Sequence, residues 1–239
     1  MILASDFDGT VYIDEKISTK DIKAIRDFQH AGNLFAIVTG RSYASLYPLI
    51  EEKITPDVII ANNGGHIFVR ENGKLVEIFT TSISHDKAQE FLEYYGKKID
   101  NEMAIFTENG EENQIENVNR PIMALAIYSD SEIPNYFPED FDFHYSIGVI
   151  DVVKKGINKQ RGIEIIKKYY KFDGEIIAIG DDFNDIIFLK ETPYSYTLDY
   201  VTNKEVREAV NYSIESIFHL INKLGEGIWN IQKTGDNTI

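Results

Sequence analysis

Short, nearly continuous apolar runs alternate with amphipathic stretches along most of the chain. Residues 2–7, 34–38 and 58–61 are dominated by Ile, Leu, Val, Phe and Ala, the pattern of strands buried on both faces of a parallel sheet. Between the first two runs, Ser18, Thr19, Lys20 and Asp21 read as a capping box. Ile22, Ile25 and Phe28 then fall on one helical face, and Gly32 marks the stop. An Asn72-Gly73 pair between runs at 66–70 and 75–79 predicts a hairpin.

The rhythm changes from about residue 80 to 154. A helix over 86–96 precedes strands over 103–107, 122–128, 142–146 and 149–153, and the short connections between the later strands predict an antiparallel sheet. Helix–strand alternation then resumes: helix 160–170, strands 175–179 and 194–198, helices 204–209 and 215–224. The expected fold class is α/β, a parallel-sheet core made from both ends of the chain with an α+β domain inserted in its middle. The division is 1–80 with 155–225 for the core, 81–154 for the insertion, and 226–239 as a poorly ordered tail that includes Trp229.

Composition narrows the class. With 239 residues, 43% hydrophobic and 26% charged, the chain has the make-up of a soluble globular protein of two modest domains. No apolar run approaches the roughly 20 residues of a membrane span, and the first residues carry neither a basic start nor a cleavable apolar segment. A cytoplasmic protein without membrane contact is expected. Cysteine is absent, which excludes disulfides and thiolate chemistry. A net charge of −15 repels nucleic acid, and it repels phosphorylated metabolites too, so a phosphate site must carry its own local positive charge. A monomer or weak homo-oligomer is expected.

Three clusters fall at the C-terminal ends of predicted strands, where open α/β sheets place their sites. Asp6, Phe7, Asp8, Gly9 and Thr10 end the first strand. Thr39, Gly40, Arg41 and Ser42 end the second. Gly180, Asp181, Asp182, Phe183, Asn184 and Asp185 follow the 175–179 strand, and Lys159 stands just before the helix leading into it. Carboxylates two apart on an extended segment share one side. Asp6 can then attack phosphorus while Asp8 protonates the leaving oxygen and afterwards activates water. Like charges 4 Å apart repel by about 4 kcal/mol at an effective dielectric of 20, so four converging aspartates and a phosphate require a cation. An all-oxygen donor set points to Mg2+.

In order and placement these motifs resemble those of the haloacid dehalogenase superfamily, and the insertion, preceded by Asn62, Asn63, Gly64 and Gly65, is similar to the Cof-type phosphatases. The resemblance implies a Rossmann-like core with an inserted cap domain. It implies Asp6 as nucleophile, Asp8 as acid and base, and Asp6, the Asp8 carbonyl and Asp181 as Mg2+ ligands. Asp185 would hold a metal-bound water or Lys159, and Thr39 and Lys159 the phosphoryl oxygens. Asp8, Gly9, Gly40, Arg41, Asn63 and Asn184 complete the expected phosphate and substrate contacts. The usual leucine between the two aspartates is Phe7 here, and the cap is short for the subgroup.

Each motif alone has a plainer reading. Asp6–Thr10 can be a turn, Thr39 a helix cap, Lys159 a solvated charge with Lys154 and Lys155 as rivals, and the 181–185 aspartates a helix-dipole complement. Arg41 can equally pair with a surface carboxylate, and Asn63 can serve the turn. Glu111 and Glu112 read as a solvated loop, and His66, His85 and His144 lack metal-ligand spacing. The expected activity is hydrolysis of small phosphate monoesters, sugar phosphates foremost. A sugar phosphomutase and a non-enzymatic phosphate-sensing module remain open alternatives.

Overall fold

The computed structural model describes residues 1–225; the expected tail at 226–239 lies outside them. Strand β1 (Ile2–Ser5) leads through a small hairpin, β2 (Tyr12–Ile13) and β3 (Lys16–Ile17), into helix α1 (Thr19–His30). The Ser18 hydroxyl accepts the Asp21 amide at 3.1 Å and starts α1. There follow β4 (Leu34–Val38), α2 (Tyr43–Ile50), β5 (Val58–Ala61), β6 (His66–Glu71) and β7 (Lys74–Thr80). The middle of the chain forms α3 (His85–Gly96), β8 (Met103–Thr107), β9 (Gly110–Glu112), β10 (Ile122–Tyr128), β11 (Phe141–Ser146) and β12 (Val149–Lys154). The last stretch forms α4 (Lys159–Tyr170), β13 (Ile176–Ile179), α5 (Ile186–Lys190), β14 (Tyr194–Leu198), α6 (Lys204–Ala209), β15 (Tyr212–Ile214) and α7 (Ile217–Gly225).

Two sheets organise these elements. The larger has eight strands in the order β15-β14-β13-β1-β4-β5-β6-β7. It is parallel from β15 to β5 and turns antiparallel at β6 and β7. The first strand is thus central, with Ala4 opposite Ala178 on one side and Ala36 on the other. The smaller sheet has five antiparallel strands in the order β11-β12-β10-β8-β9. Each has its own apolar cluster: Leu3, Phe35, Ile59 and Ile177 in the large one, and Phe91 and Tyr95 of α3 packed on Leu125, Ile127 and Val152 in the small one. This is the mixed α/β class the alternation predicts.

Several elements depart from expectation. The first strand stops at Ser5, because the Phe7 carbonyl gathers the amides of Thr10, Val11 and Tyr12 into a turn. Helix α4 begins at Lys159 with Asn158 as its cap, so the lysine lies inside the helix rather than before it. Glu111 and Glu112 stand on strand β9 rather than in a loop, since β9 pairs as an edge to β8. Helix α2 gives no helical periodicity because apolar and small residues occupy nearly all of it and Pro48 lies inside.

Candidate active site

The ends of β1, β4 and β13 converge on one cavity of about 590 Å³, whose opposite wall is the five-stranded sheet. The turn after β1 sets its floor. The Asp6 amide donates to the Ile179 carbonyl at 2.9 Å, which ties the turn to β13. Gly9 holds φ +76°, a conformation open to glycine. A Cβ there would also lie 2.1 Å from an Asp181 oxygen, so the close approach of the two loops itself requires glycine. The Thr10 hydroxyl donates to Asp181 Oδ1 at 2.8 Å, and the Tyr200 hydroxyl to the Gly9 carbonyl.

Lys159 is the buried centre of charge. Its ammonium, 1% exposed, reaches Asp6 Oδ1 at 2.7 Å, Asp185 Oδ1 at 2.6 Å and Asn184 Oδ1 at 3.2 Å. Burial alone would lower the Lys159 pKa, but the Asp185 and Asp6 carboxylates outweigh it and hold it well above an ordinary lysine. Asp185 Oδ2 accepts the amides of Asp181 and Asp182 at 2.9 and 3.1 Å. One carboxylate therefore shapes the 181–185 loop and aims the lysine.

Asp8 and Arg41 form a two-pronged pair, Nε and Nη2 each 2.7 Å from a carboxylate oxygen, and both line the cavity. Of the two readings of Arg41, the ion pair is thus present, at the cavity rather than on an outer face. Thr39 is buried; its carbonyl accepts the Asn63 amide at 2.9 Å and its hydroxyl the Arg41 amide at 3.1 Å. Gly40 lines the cavity, and Asn63, buried at φ 51°, lies behind the wall in the turn that opens β6.

The donor set fits a hard divalent cation. Carboxylate oxygens of Asp6, Asp181 and Asp185 lie within 4.8 Å of one another, and Asp6 Oδ2 is buried without a hydrogen-bond partner among the described residues. Asp185 has both oxygens committed to Lys159 and the loop amides, whereas among the described residues Asp6 keeps Oδ2 open and Asp181 accepts only the neutral hydroxyls of Thr10 and Tyr200, so these two carboxylates are the ones able to ligate. Burial, then Asp185, pushes Asp6 well above the usual carboxylate range despite Lys159. The same causes raise Asp181 to about 7. A cation among these oxygens reverses that balance and favours the ionised forms.

Residues 3–122 and 111–217 match the model of the haloacid dehalogenase-like hydrolases. The chain belongs to that family. It is 26% identical over 225 residues to the 5-amino-6-(5-phospho-D-ribitylamino)uracil phosphatase YitU of Bacillus subtilis, covering 79% of this chain and 83% of that one. In fold it is similar to SMU.1108c of Streptococcus mutans (TM-score 0.81, 16% identity, 96% of this chain and 99% of that one). It is also similar to the subclass IIB sugar phosphatase BT4131 (TM-score 0.73, 20% identity, 95% and 98%). Among this hydrolase's described residues no helix is long and apolar enough to cross a membrane.

Two residues at or beside the cavity escape sequence reading. Asp151, on β12, receives Asn63 Nδ2 at 2.7 Å, and a Cβ on Gly40 would lie 2.4 Å from its Oδ2. Its signal is a lone charge in an apolar run, with Ile150, Val152 and Val153 buried around it. Tyr200, beside Gly9 and Asp181, follows a strand in a loop with no pattern to mark it.

Proposed function

We propose that this hydrolase is a Mg2+-dependent phosphatase of small phosphate monoesters, sugar phosphates foremost, that works through a phosphorylated Asp6. The observation that carries the reading is the Lys159–Asp6 pair. One Asp6 oxygen is fixed at 2.7 Å from a buried ammonium while the other has no partner among the described residues, at the floor of a cavity whose rim carries Asp8. An aspartate so held is positioned rather than neutralised by accident.

Asp6 attacks phosphorus as the ester oxygen departs, taking a proton from the Asp8 carboxyl. Water then attacks the phosphoaspartate, Asp8 accepts its proton, and inorganic phosphate and Asp6 are restored. Arg41 keeps the Asp8 carboxylate at the rim between these steps. Thr39 and Lys159 stabilise the charge spread over the transferring oxygens. Mg2+, held by Asp6, Asp181 and the Asp8 carbonyl, would neutralise the remaining negative charge. Small phosphorylated substrates are in keeping with the names of YitU and BT4131.

The test is release of inorganic phosphate from p-nitrophenyl phosphate and from a panel of sugar phosphates. Asp6→Asn should lower turnover by on the order of 10³-fold or more, since an amide cannot form the acyl phosphate. Near-normal activity in that variant overturns the mechanism, and an isomerised phosphosugar in place of free phosphate would make the enzyme a mutase.

A further inference from the structure

The two sides of the cavity differ in chemistry. The core side gathers what a phosphoryl group needs. The five-stranded sheet faces it with Phe106 from β8, Glu111 from β9, Tyr128 from β10 and Asp151 from β12. That wall holds two carboxylates and two rings, and among the described residues no lysine or arginine of the sheet lines it. The cation that does line the cavity, Arg41, is already bound by Asp8 through both prongs.

Asp151 is a built feature of this wall. The Asn63 amide fixes its Oδ2 at 2.7 Å, and Asn63 is itself fully buried in a left-handed turn. Asp151 Oδ1 has no hydrogen-bond partner among the described residues. An acceptor is therefore held in place at the wall with bonding capacity unused.

We infer that this wall selects the leaving group by charge: it accepts polyols and amino-polyols, whose hydroxyl or ammonium donors meet Asp151 and Glu111 while their carbon faces lie on Phe106 and Tyr128, and it refuses leaving groups that are themselves anionic. The inference rests on the phosphatase reading and deepens it. Donors satisfy carboxylates with strong, directional bonds. A carboxylate or second phosphate would enter a low-dielectric cleft opposite like charge with no free cation to offset it. Discrimination built on a misplaced charge exceeds what apolar contacts achieve. The same wall offers nothing to hold a second phosphate, as a bisphosphorylated mutase intermediate requires.

Three six-carbon esters separate the charges: glucitol 6-phosphate, glucosamine 6-phosphate and 6-phosphogluconate, the first and last both open-chain. Each is measured as a competitor of p-nitrophenyl phosphate hydrolysis by the full-length enzyme with Mg2+. The neutral and cationic esters should compete at least about tenfold more tightly than the acid, and the gap should narrow as salt screens the wall. In the doubly substituted Glu111→Gln, Asp151→Asn enzyme the gap should shrink at least about threefold, chiefly through tighter binding of 6-phosphogluconate. Equal competition by all three, or an unchanged gap in the variant, overturns the inference while the phosphatase reading stands. Absence of p-nitrophenyl phosphate turnover removes that reading, and the inference with it.

Discussion

Asp151 shows how one side chain couples the site to solution conditions. Burial raises its pKa to about 6, opposed by the bond from Asn63. Because the folded value lies above the unfolded value of 3.8, the folded chain binds more protons between the two. Stability from this group is then full below pH 4 and is lost as pH rises through about 6. An amide at 151 keeps the shape without the charge, so Asp151→Asn should melt higher than the parent at pH 8, by up to about 2 kcal/mol allowing for solvent in the cavity, and equally near pH 4. Thermal melts at the two pH values check the sign. Lys159→Met should act oppositely at pH 8. It leaves Asp6 and Asp185 buried without their cation, a loss of about 3 kcal/mol or more, and it lowers turnover as well. At this scale the convergence of Asp6, Asp8, Thr39, Lys159, Asp181 and Asp185 is legible because they stand at strand ends and a helix start in an order that resembles the family's motifs. Asp151 is not, because what singles it out is Asn63, 88 residues away in sequence.

Helices and strands announce themselves when one face differs from the other. Helix α1 buries Ala24, Ile25 and Phe28 and caps itself with Ser18, so its sequence carries both boundary and orientation. Helix α2 buries Leu46 and Ile50 amid tyrosines and a proline, and β15 is three residues long; neither is long or polar enough to show a period. Where elements touch, glycines record the distance. Gly162 brings α4 onto β5, where a Cβ would lie 2.4 Å from Ile60 Cγ2. Gly162→Ala should destabilise the core by about 1–3 kcal/mol in chemical denaturation. Gly40→Ala meets Asp151 instead, across the gap between the sheets. It should weaken competition by sugar phosphates several-fold while changing p-nitrophenyl phosphate turnover less, because the wall is displaced and the floor is not.

Over the whole molecule, a metal held by the acidic floor would link folding to its binding. A ligand bound only by the folded state at 100 times its Kd adds about 2.7 kcal/mol, so saturating Mg2+ should raise the melting temperature and a chelator should reverse it. In Asp181→Asn the shift should largely vanish. A response of equal size in that variant would remove Asp181 from the ligand set. The overall architecture was readable from the alternation of patterns, since a change from helical to strand spacing needs no long-range knowledge. The individual contacts that join the two sheets across the cavity were not, because bonds such as that from the Ile147 amide to Asp182 Oδ2 at 3.2 Å link unpatterned loops.

The central place of β1 also sets an order of events as the chain is made. Its partner β4 follows within some thirty residues, yet its other edge waits for Ile176–Ile179. Meanwhile the five-stranded sheet closes on pairings confined to residues 103–154. Local pairing is fast and distant pairing slow. The five-stranded sheet thus has all its strands in hand while Asp6 still sits beside an open strand edge, lacking both Lys159 and the 181–185 loop. A nascent chain with residues 1–158 held clear of the ribosomal tunnel by a C-terminal linker should protect β10 from hydrogen exchange and leave the Ile2 and Asp6 amides, whose acceptors are Glu175 and Ile179, exchanging freely. Hydrolytic power arrives in one late stroke, as β13 docks and the carboxylates find their lysine.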